Sequence, residues 1–271
     1  MSVTAALAPD ERAEPSPLGR LDPTVTLALL VVVSAVMLFV LHPFVPTVLY
    51  LLGLLAVAAG TRLPARTLAL AHLPFVAFAT GLLVVNALSR PGEVLWRAGV
   101  LRVTVEGLEV GTALAARTLL VGVLAIGFVA STGPVALVTS LHRHARLDAR
   151  VSHALLAGYR MLQQMPQEWQ TIRQAHAVRA PLRADGTLPR SPRFLAGVVF
   201  TLLVVSVRRG ERLAQSLESR GLGLRPRTTW RPARLHARDG WAAAAVLAAL
   251  ALVLLLGAHL DLLDGPGALT G

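Results

Sequence analysis

The chain has 271 residues, 54% of them hydrophobic and 15% charged, with a mean hydropathy of +0.61; this balance belongs to membrane proteins and excludes an ordinary soluble domain. Its formal charge of +11 comes from 26 basic residues that are all arginine, and without lysine there is no Walker A phosphate loop, so the chain is not by itself a P-loop ATPase. Cysteine is also absent, which excludes disulfides, thiolate metal sites and cysteine nucleophiles.

The first apolar run, residues 24–41, reads "TVTLALLVVVSAVMLFVL"; it is uncharged and twelve of its eighteen residues are Val, Leu or Phe. Each contributes roughly −0.3 to −0.6 kcal/mol at a bilayer centre, so insertion is favoured by about 5 kcal/mol. Asp10, Glu11 and Glu14 precede it in place of a basic n-region, and "HPF" follows it in place of a small-residue cleavage site, so it reads as a retained span. Further spans are expected over 44–59, over 67–88 with an interruption at Pro74, over 108–130 with Arg117 inside it, and over 241–260. Residues 90–107 read as a short polar loop, and no β alternation of any length is seen. The expectation is an all-α integral membrane protein with about five transmembrane helices and a cytoplasmic helical segment before the last. Residues 1–131 would be a cytoplasmic tail and four spans, 132–240 the cytoplasmic or interfacial helices, and 241–271 the last span and tail.

Residues 132–240 differ in character, with 18 of the 26 arginines against 6 acidic residues, a balance of +12. The positive-inside rule places this segment in the cytoplasm, the N-terminus with it and the C-terminus outside. Within it "GPVALVTSL" opens a helix with Pro134 in the first turn. A second helix, "VSHALLAGYRMLQQM", is expected to end at Pro166, and a third, "QEWQTIRQAHAVRA", before Pro181. The stretch "RADGTLPRSPR" reads as a connector. The run Phe194–Val207 has fourteen residues, or roughly 21 Å of helix, which is short of a ~30 Å hydrocarbon core. It reads as the front half of a long helix whose amphipathic rear continues through Leu213 and Leu217.

The third and last of these helices correspond. "IRQAHAVRA" carries Ile172, Gln174 and Arg179, and "LAQSLESRG" carries Leu213, Gln215 and Arg220, so the offset from apolar residue to arginine is seven in both and from glutamine to arginine five in both. An i+7 offset keeps both residues on one helix face, giving two apolar ridges tipped by a guanidinium, and Gly221 is suited to stopping the second helix.

The string "SLESRG" between the penultimate and last spans resembles the second arginine signature of the transmembrane T component of energy-coupling factor transporters, the EcfT/CbiQ family. The resemblance extends through "RLDP", through "ARTLLVGVLAIGFVASTGPVALVTSL" and through "IRQAHAVRA" at the place of the family's first Ala-Arg-Gly signature. It implies a coupling subunit of an ABC importer for a metal ion or vitamin, in a bacterial plasma membrane, with no cofactor on this chain. Two cytoplasmic ABC-type ATPases would bind the ATP, and a substrate-binding S component would sit in the bilayer. Arg179 and Arg220 would be the ATPase-contacting arginines, with Ala177, Gly221 and Glu218 in or beside their signatures and Gln174, Gln215, Ile172, Leu213 and Leu217 on the same helices. The first signature departs from the family pattern, reading Val178-Arg179-Ala180-Pro181.

Arg117 is an intramembrane polar candidate, with Glu106 and Glu109 the nearest carboxylates in sequence. His72, two residues before Pro74, is expected to serve backbone groups that the proline frees. His142 and His144 fall on different faces at i, i+2, so no metal site is expected there, and the basic helices have too few aromatics for nucleic-acid binding. The alternative to a coupling subunit is a membrane enzyme holding a phosphorylated or lipid substrate on the Arg-rich segment. Its only nearby acids, Asp148, Glu168, Asp185, Glu211, Glu218 and Asp239, are scattered along the sequence, so no enzyme activity is expected.

Overall fold

In the computed structural model, which describes residues 16–98, 101–179, 191–222, 224 and 235–260, the five long apolar runs are helices. Helix α1 (Pro23–Val36) begins where Asp22, in extended geometry, accepts the Thr24 amide at 2.8 Å, and Pro23 takes a position whose N–H a helix cannot use. The "RLDP" stretch is therefore a helix cap. A 3-10 turn, Met37–Phe39, prolongs α1, and α2 (Phe44–Gly60) and α3 (Ala65–Ser89) follow. Two strands, β1 (Val94–Ala98) and β2 (Leu101–Thr104), lead into α4 (Val105–Ser131). Helices α5 (Pro134–His144), α6 (Ala149–Arg179), α7 (Pro192–Ser219) and α8 (Ala237–His259) complete the described chain.

The chain divides into two compact units, one of residues 1–137 with 234–271 and one of residues 138–233. In the first, α3, α4 and α8, of 25, 27 and 23 residues, are long and apolar enough to cross a membrane, whereas Pro23–Phe39 and Phe44–Gly60 are shorter apolar helices. Helix α4 is the centre of this unit. Lipid offers no hydrophobic drive between helices, so close contact matters, and glycines supply it. A Cβ on Gly107 would lie 2.6 Å from the Asn86 carbonyl oxygen, and one on Gly111 would lie 3.0 Å from that of Leu83, so α4 approaches the α3 backbone at both. Leu120 joins a buried cluster with Val33, Met37, Val45, Leu49, Leu250 and Val253, and Val123 and Ile126 join another with Val57, Leu68 and Ala71. A cleft of about 320 Å³ is lined by Leu21 and Thr26, Ala56 and Val57, Gly127 and Ser131, and Ala242. The starts of α1 and α8 and the ends of α2 and α4 therefore lie together, as alternating spans require.

Three expectations need correction. Residues 94–98 and 101–104 are not part of a polar loop but the two strands of an antiparallel hairpin, with Trp96 opposite Val103 and Arg97 opposite Arg102. Its sequence signal was Val94 and Trp96 before Gly99-Val100 and Val103 and Thr104 after it, too short for alternation to be seen. Neither Pro74 nor Pro166 ends its helix. A proline costs an N–H bond and adds a clash, but packing on both sides carries the helix through: Ala71 and Ala79 are buried around Pro74, and Arg209 holds Gln164 and Glu168 around Pro166. His72 bonds a side chain and not freed backbone, its Nε2 lying 3.3 Å from the Tyr50 hydroxyl with the two rings stacked.

Asp239, in the first turn of α8, is only 2% exposed. One carboxylate oxygen accepts the Asp22 amide at 2.9 Å, and the other reaches back to the His236 amide at 2.7 Å. The first and last spans are thus pinned at their starts by one side chain. Hydrogen bonds to a charged group contribute about 1.5–3 kcal/mol each, so Asp239→Ala is expected to lower the melting midpoint in detergent, and Asp239→Asn, which keeps one acceptor, less so. Circular dichroism melts of the purified chain check the order.

Candidate functional site

In the second unit α6 and α7 run antiparallel. His176 Nε2 lies 2.9 Å from Thr201 Oγ1, and its ring meets Phe194 edge-on at 6.2 Å. Further along, Arg209 donates to Gln164 Oε1 at 3.0 Å and forms an ion pair with Glu168. The α6 residues in these contacts, Gln164, Glu168 and His176, recur at i, i+4, the stripe a straight helix shows to one neighbour. Ile172 completes that stripe and is 7% exposed, so it is packed inside the unit and does not form an outward ridge.

The antiparallel arrangement separates the two candidate arginines. Arg179 is the last residue of α6, at the end where α7 begins, and it is exposed. Arg220 follows the last residue of α7 and lines a cavity with His153 and Arg160 of the first turns of α6. With 28 residues in α7, the two guanidinium-bearing ends stand roughly 40 Å apart along the pair.

Each exit has its own local chemistry. At the second, Gly221 adopts φ 82, its amide donates to Glu218 O at 2.9 Å, and the Leu222 amide donates to Leu217 O at 2.9 Å. These are the two bonds of a Schellman ending, in which the left-handed residue is nearly always glycine. Leu224, just beyond, is 70% exposed. At the first exit Val178 is 89% exposed beside Arg179, the barest of the large apolar side chains among the described residues. Sequence reading gave neither residue a role, and nothing but their places beside the arginines marked them. Ala180 and Pro181 lie outside the described residues.

The remaining candidates divide. Gln174, Gln215 and Glu218 are exposed and Ala177 is half-buried. Leu213 is 36% exposed and Leu217 half-buried, and both line the cavity of about 540 Å³ that α7 forms with α6. Three arginines border that cavity, Arg160, Arg209 and Arg220, and of these only Arg209 has a carboxylate partner among the described residues. Arg117 belongs to the other unit. It lies half-buried on α4, about 18 Å from that helix's start, and has no ion-pair partner among the described residues. Glu106, one of the acids nearest to it in sequence, accepts the Glu93 amide at 2.8 Å instead.

Comparison with known proteins gives concordant matches. The family model CbiQ, described as cobalt transport protein, matches residues 14–230, a stretch that includes both arginine exits. The energy-coupling factor transporter transmembrane protein EcfT of Thermosediminibacter oceani is 26% identical over 212 residues, covering 76% of this chain and 80% of that protein. EcfT of Acidaminococcus fermentans is 25% identical over 170 residues, or 60% and 63% of the two chains. A putative ABC transporter ATP-binding protein of Bifidobacterium longum is 27% identical over 213 residues, which are 74% of this chain but only 27% of that longer protein.

An alanine at 221 would have to hold a left-handed conformation, at about 1–2 kcal/mol. Gly221→Ala is expected to speed hydrogen exchange at the Gly221 and Leu222 amide positions by roughly five- to thirtyfold while leaving exchange in α1–α4 unchanged. Exchange mass spectrometry reads this directly, and equal rates would mean that α7 does not end in the bonds described.

Proposed function

The chain belongs to the CbiQ family of cobalt transport proteins, and from that membership we propose that it is the transmembrane coupling subunit of an energy-coupling factor importer. It is a multi-pass membrane protein; in the proposed arrangement it lies in a bacterial plasma membrane with the Arg-rich unit and N-terminus in the cytoplasm and the C-terminus outside. Two ABC-type ATPases bind the Arg-rich unit, and an S component in the bilayer selects the cargo, a metal ion or a vitamin.

The observation that carries this reading is the placing of Arg179 and Arg220 at opposite ends of one antiparallel helix pair, each with a bare apolar side chain, Val178 or Leu224, within four residues of it along the chain. An arginine with an apolar neighbour is a common anchor at protein interfaces, because the guanidinium fork bonds carboxylates or helix-end carbonyls while the neighbour adds buried area. Two such anchors far apart suit two ATPase subunits better than one. On ATP-driven closure the two exits would move with their ATPases, and α6 and α7, cross-linked by His176–Thr201 and by Arg209 with Gln164 and Glu168, would pass the motion on as one piece. An S component resting on the pair would then tip.

The chain itself would catalyse nothing and hold no cofactor. Its lack of lysine leaves nucleotide binding to partners, and two of the acids in or beside the Arg-rich unit have other occupations: Glu168 is engaged by Arg209 and Asp239 by two backbone amides. The Bifidobacterium relative also supports the reading, since a region similar to this chain fills about a quarter of a protein named for ATP binding.

Arg179→Glu and Arg220→Glu are each expected to weaken ATPase capture by about thirtyfold or more, the effect of losing an interface anchor of at least ~2 kcal/mol, and the double variant to abolish it. The check is a mild-detergent pull-down with the bound proteins identified by mass spectrometry, alongside circular dichroism showing the spans intact. Capture of P-loop ATPases by the double variant at the parental level would overturn the assignment.

A further inference from the structure

The β1–β2 hairpin is fastened to the ends of two membrane spans. Only four residues separate Ser89, the end of α3, from Val94, and β2 runs directly into α4. Thr104 caps α4 by accepting the Gly107 amide at 3.2 Å and donates its hydroxyl proton to the Arg90 carbonyl at 3.0 Å, while Glu106 accepts the Glu93 amide at 2.8 Å. The hairpin's level is therefore set by the spans.

Its two faces differ. Residues directly opposite in an antiparallel pair share a face and alternate with the next pair. Arg97 and Arg102 are opposed on one face, both exposed, while Trp96 and Val103 are opposed on the other. Trp96 is 57% exposed, and Leu95, at the register shift, is 65% exposed. Opposed like charges weaken a strand pair, and neither arginine has an ion-pair partner among the described residues. Tryptophan, by contrast, is the residue that collects where acyl chains meet head groups. A sheet with bare apolar side chains on one face and two unpaired guanidinium groups on the other, held at the end of two spans, complements the head-group layer of the leaflet at that end. It has acyl carbon for one face and phosphate oxygen for the other.

We propose that this hairpin is a lipid-binding element: Arg97 and Arg102 together clamp the phosphate of an anionic phospholipid, and Trp96 and Leu95 wedge between the acyl chains. The cradle is preformed, since the opposed Cβ atoms stand about 4.5–5.5 Å apart, close enough for both forks to reach one phosphate. It fixes the height of the α3 and α4 ends in the bilayer.

The test uses the full chain in lipid nanodiscs. Trp169→Phe, Trp230→Phe and Trp241→Phe leave Trp96 as the sole tryptophan, and phosphatidylglycerol or phosphatidylcholine brominated near the carbonyl end serves as quencher. Trp96 is expected to be quenched by both, resist aqueous iodide, and favour the anionic lipid by up to about fivefold per arginine (about 1 kcal/mol each). Arg97→Gln with Arg102→Gln should erase that preference while lipid quenching persists. Equal quenching by the two lipids in the parent overturns the clamp. Quenching by iodide and not by lipid overturns the whole proposal and leaves this face to a membrane protein partner. If the three-tryptophan variant does not fold, the absence of native cysteine allows a nitroxide on Leu95→Cys in the otherwise native chain. Oxygen against nickel relaxation then reads the same depth, with the same arginine pair replaced.

Discussion

The membrane unit closes through one carboxylate. Asp239 and Asp22 are 217 positions apart, and between them the chain leaves the spans at Ser131, builds a second unit and returns. The returning helix has little else to fix it: α8 is rich in alanine, and only Asp239, Leu250, Val253 and Gly257 of its residues are buried. Apolar side chains surrounded by lipid do not care strongly which neighbour they meet or at what height. A buried carboxylate does, because it must find donors, and here the donors are the amide that opens α1 and the amide that opens α8. The bond therefore sets both the partner of α8 and its register. The capping aspartate of α1 thus serves two helices, its side chain holding the first turn of α1 and its amide the carboxylate of α8.

This interaction could not be read from the sequence. Asp239 counted as one of six scattered acids, because spacing identifies neighbours on one helix and is silent about residues two hundred positions away. The apolar runs were legible for the opposite reason: a bilayer demands long uncharged stretches, and composition alone reveals them. The glycine stop after Arg220 was legible too, since a left-handed residue at a helix end is a local requirement met at Gly221. Pro74 and Pro166 misled because the rule for proline concerns an isolated helix, and both helices here are carried by packing on either side. Ile172 shows the limit of periodicity. The i+7 spacing placed it on the face of Arg179, but which face α7 would cover was a tertiary question, and α7 covers that one.

The repeated offsets of seven and five gain meaning from the antiparallel pairing. Two helices lying antiparallel are related by an approximate twofold axis between them, so matching residues at matching offsets reappear at opposite ends. Arg179, seven residues after Ile172, and Arg220, seven after Leu213, are such a pair. A partner of two like subunits presents its own sites about a twofold axis, and the fit needs no internal symmetry beyond these few positions. The likeness ends with those spacings. Ile172 is buried where Leu213 is one-third exposed, and one helix ends in a Schellman turn where the other leads toward Ala180-Pro181. The two ends therefore carry the same guanidinium on unequal supports.

The spans themselves are unequal in a way that bears on Arg117. Pro23–Phe39 and Phe44–Gly60 are 17 residues each, about 25 Å of helix, against roughly 37–40 Å for α3 and α4. Because the starts of α1 and the ends of α2 and α4 lie at one level, the turn joining α1 to α2 stops below the far ends of α3 and α4. Leu38 and Phe39 at that turn are 59% and 73% exposed, and His42 accepts the Phe44 amide at 3.3 Å where backbone would otherwise go unpaired. A bilayer that serves both pairs of helices meets a shorter apolar height on the α1–α2 side, the mismatch that thinning or snorkelling side chains accommodate. Arg117 is about 21 Å along the axis from the end of α4 at Ser131, close to the roughly 25 Å length of the two short helices, and a helical side chain inclines toward the start of its helix. A guanidinium at that depth, with no carboxylate partner among the described residues, can snorkel from mid-span along its own stem because the neighbouring helices are short.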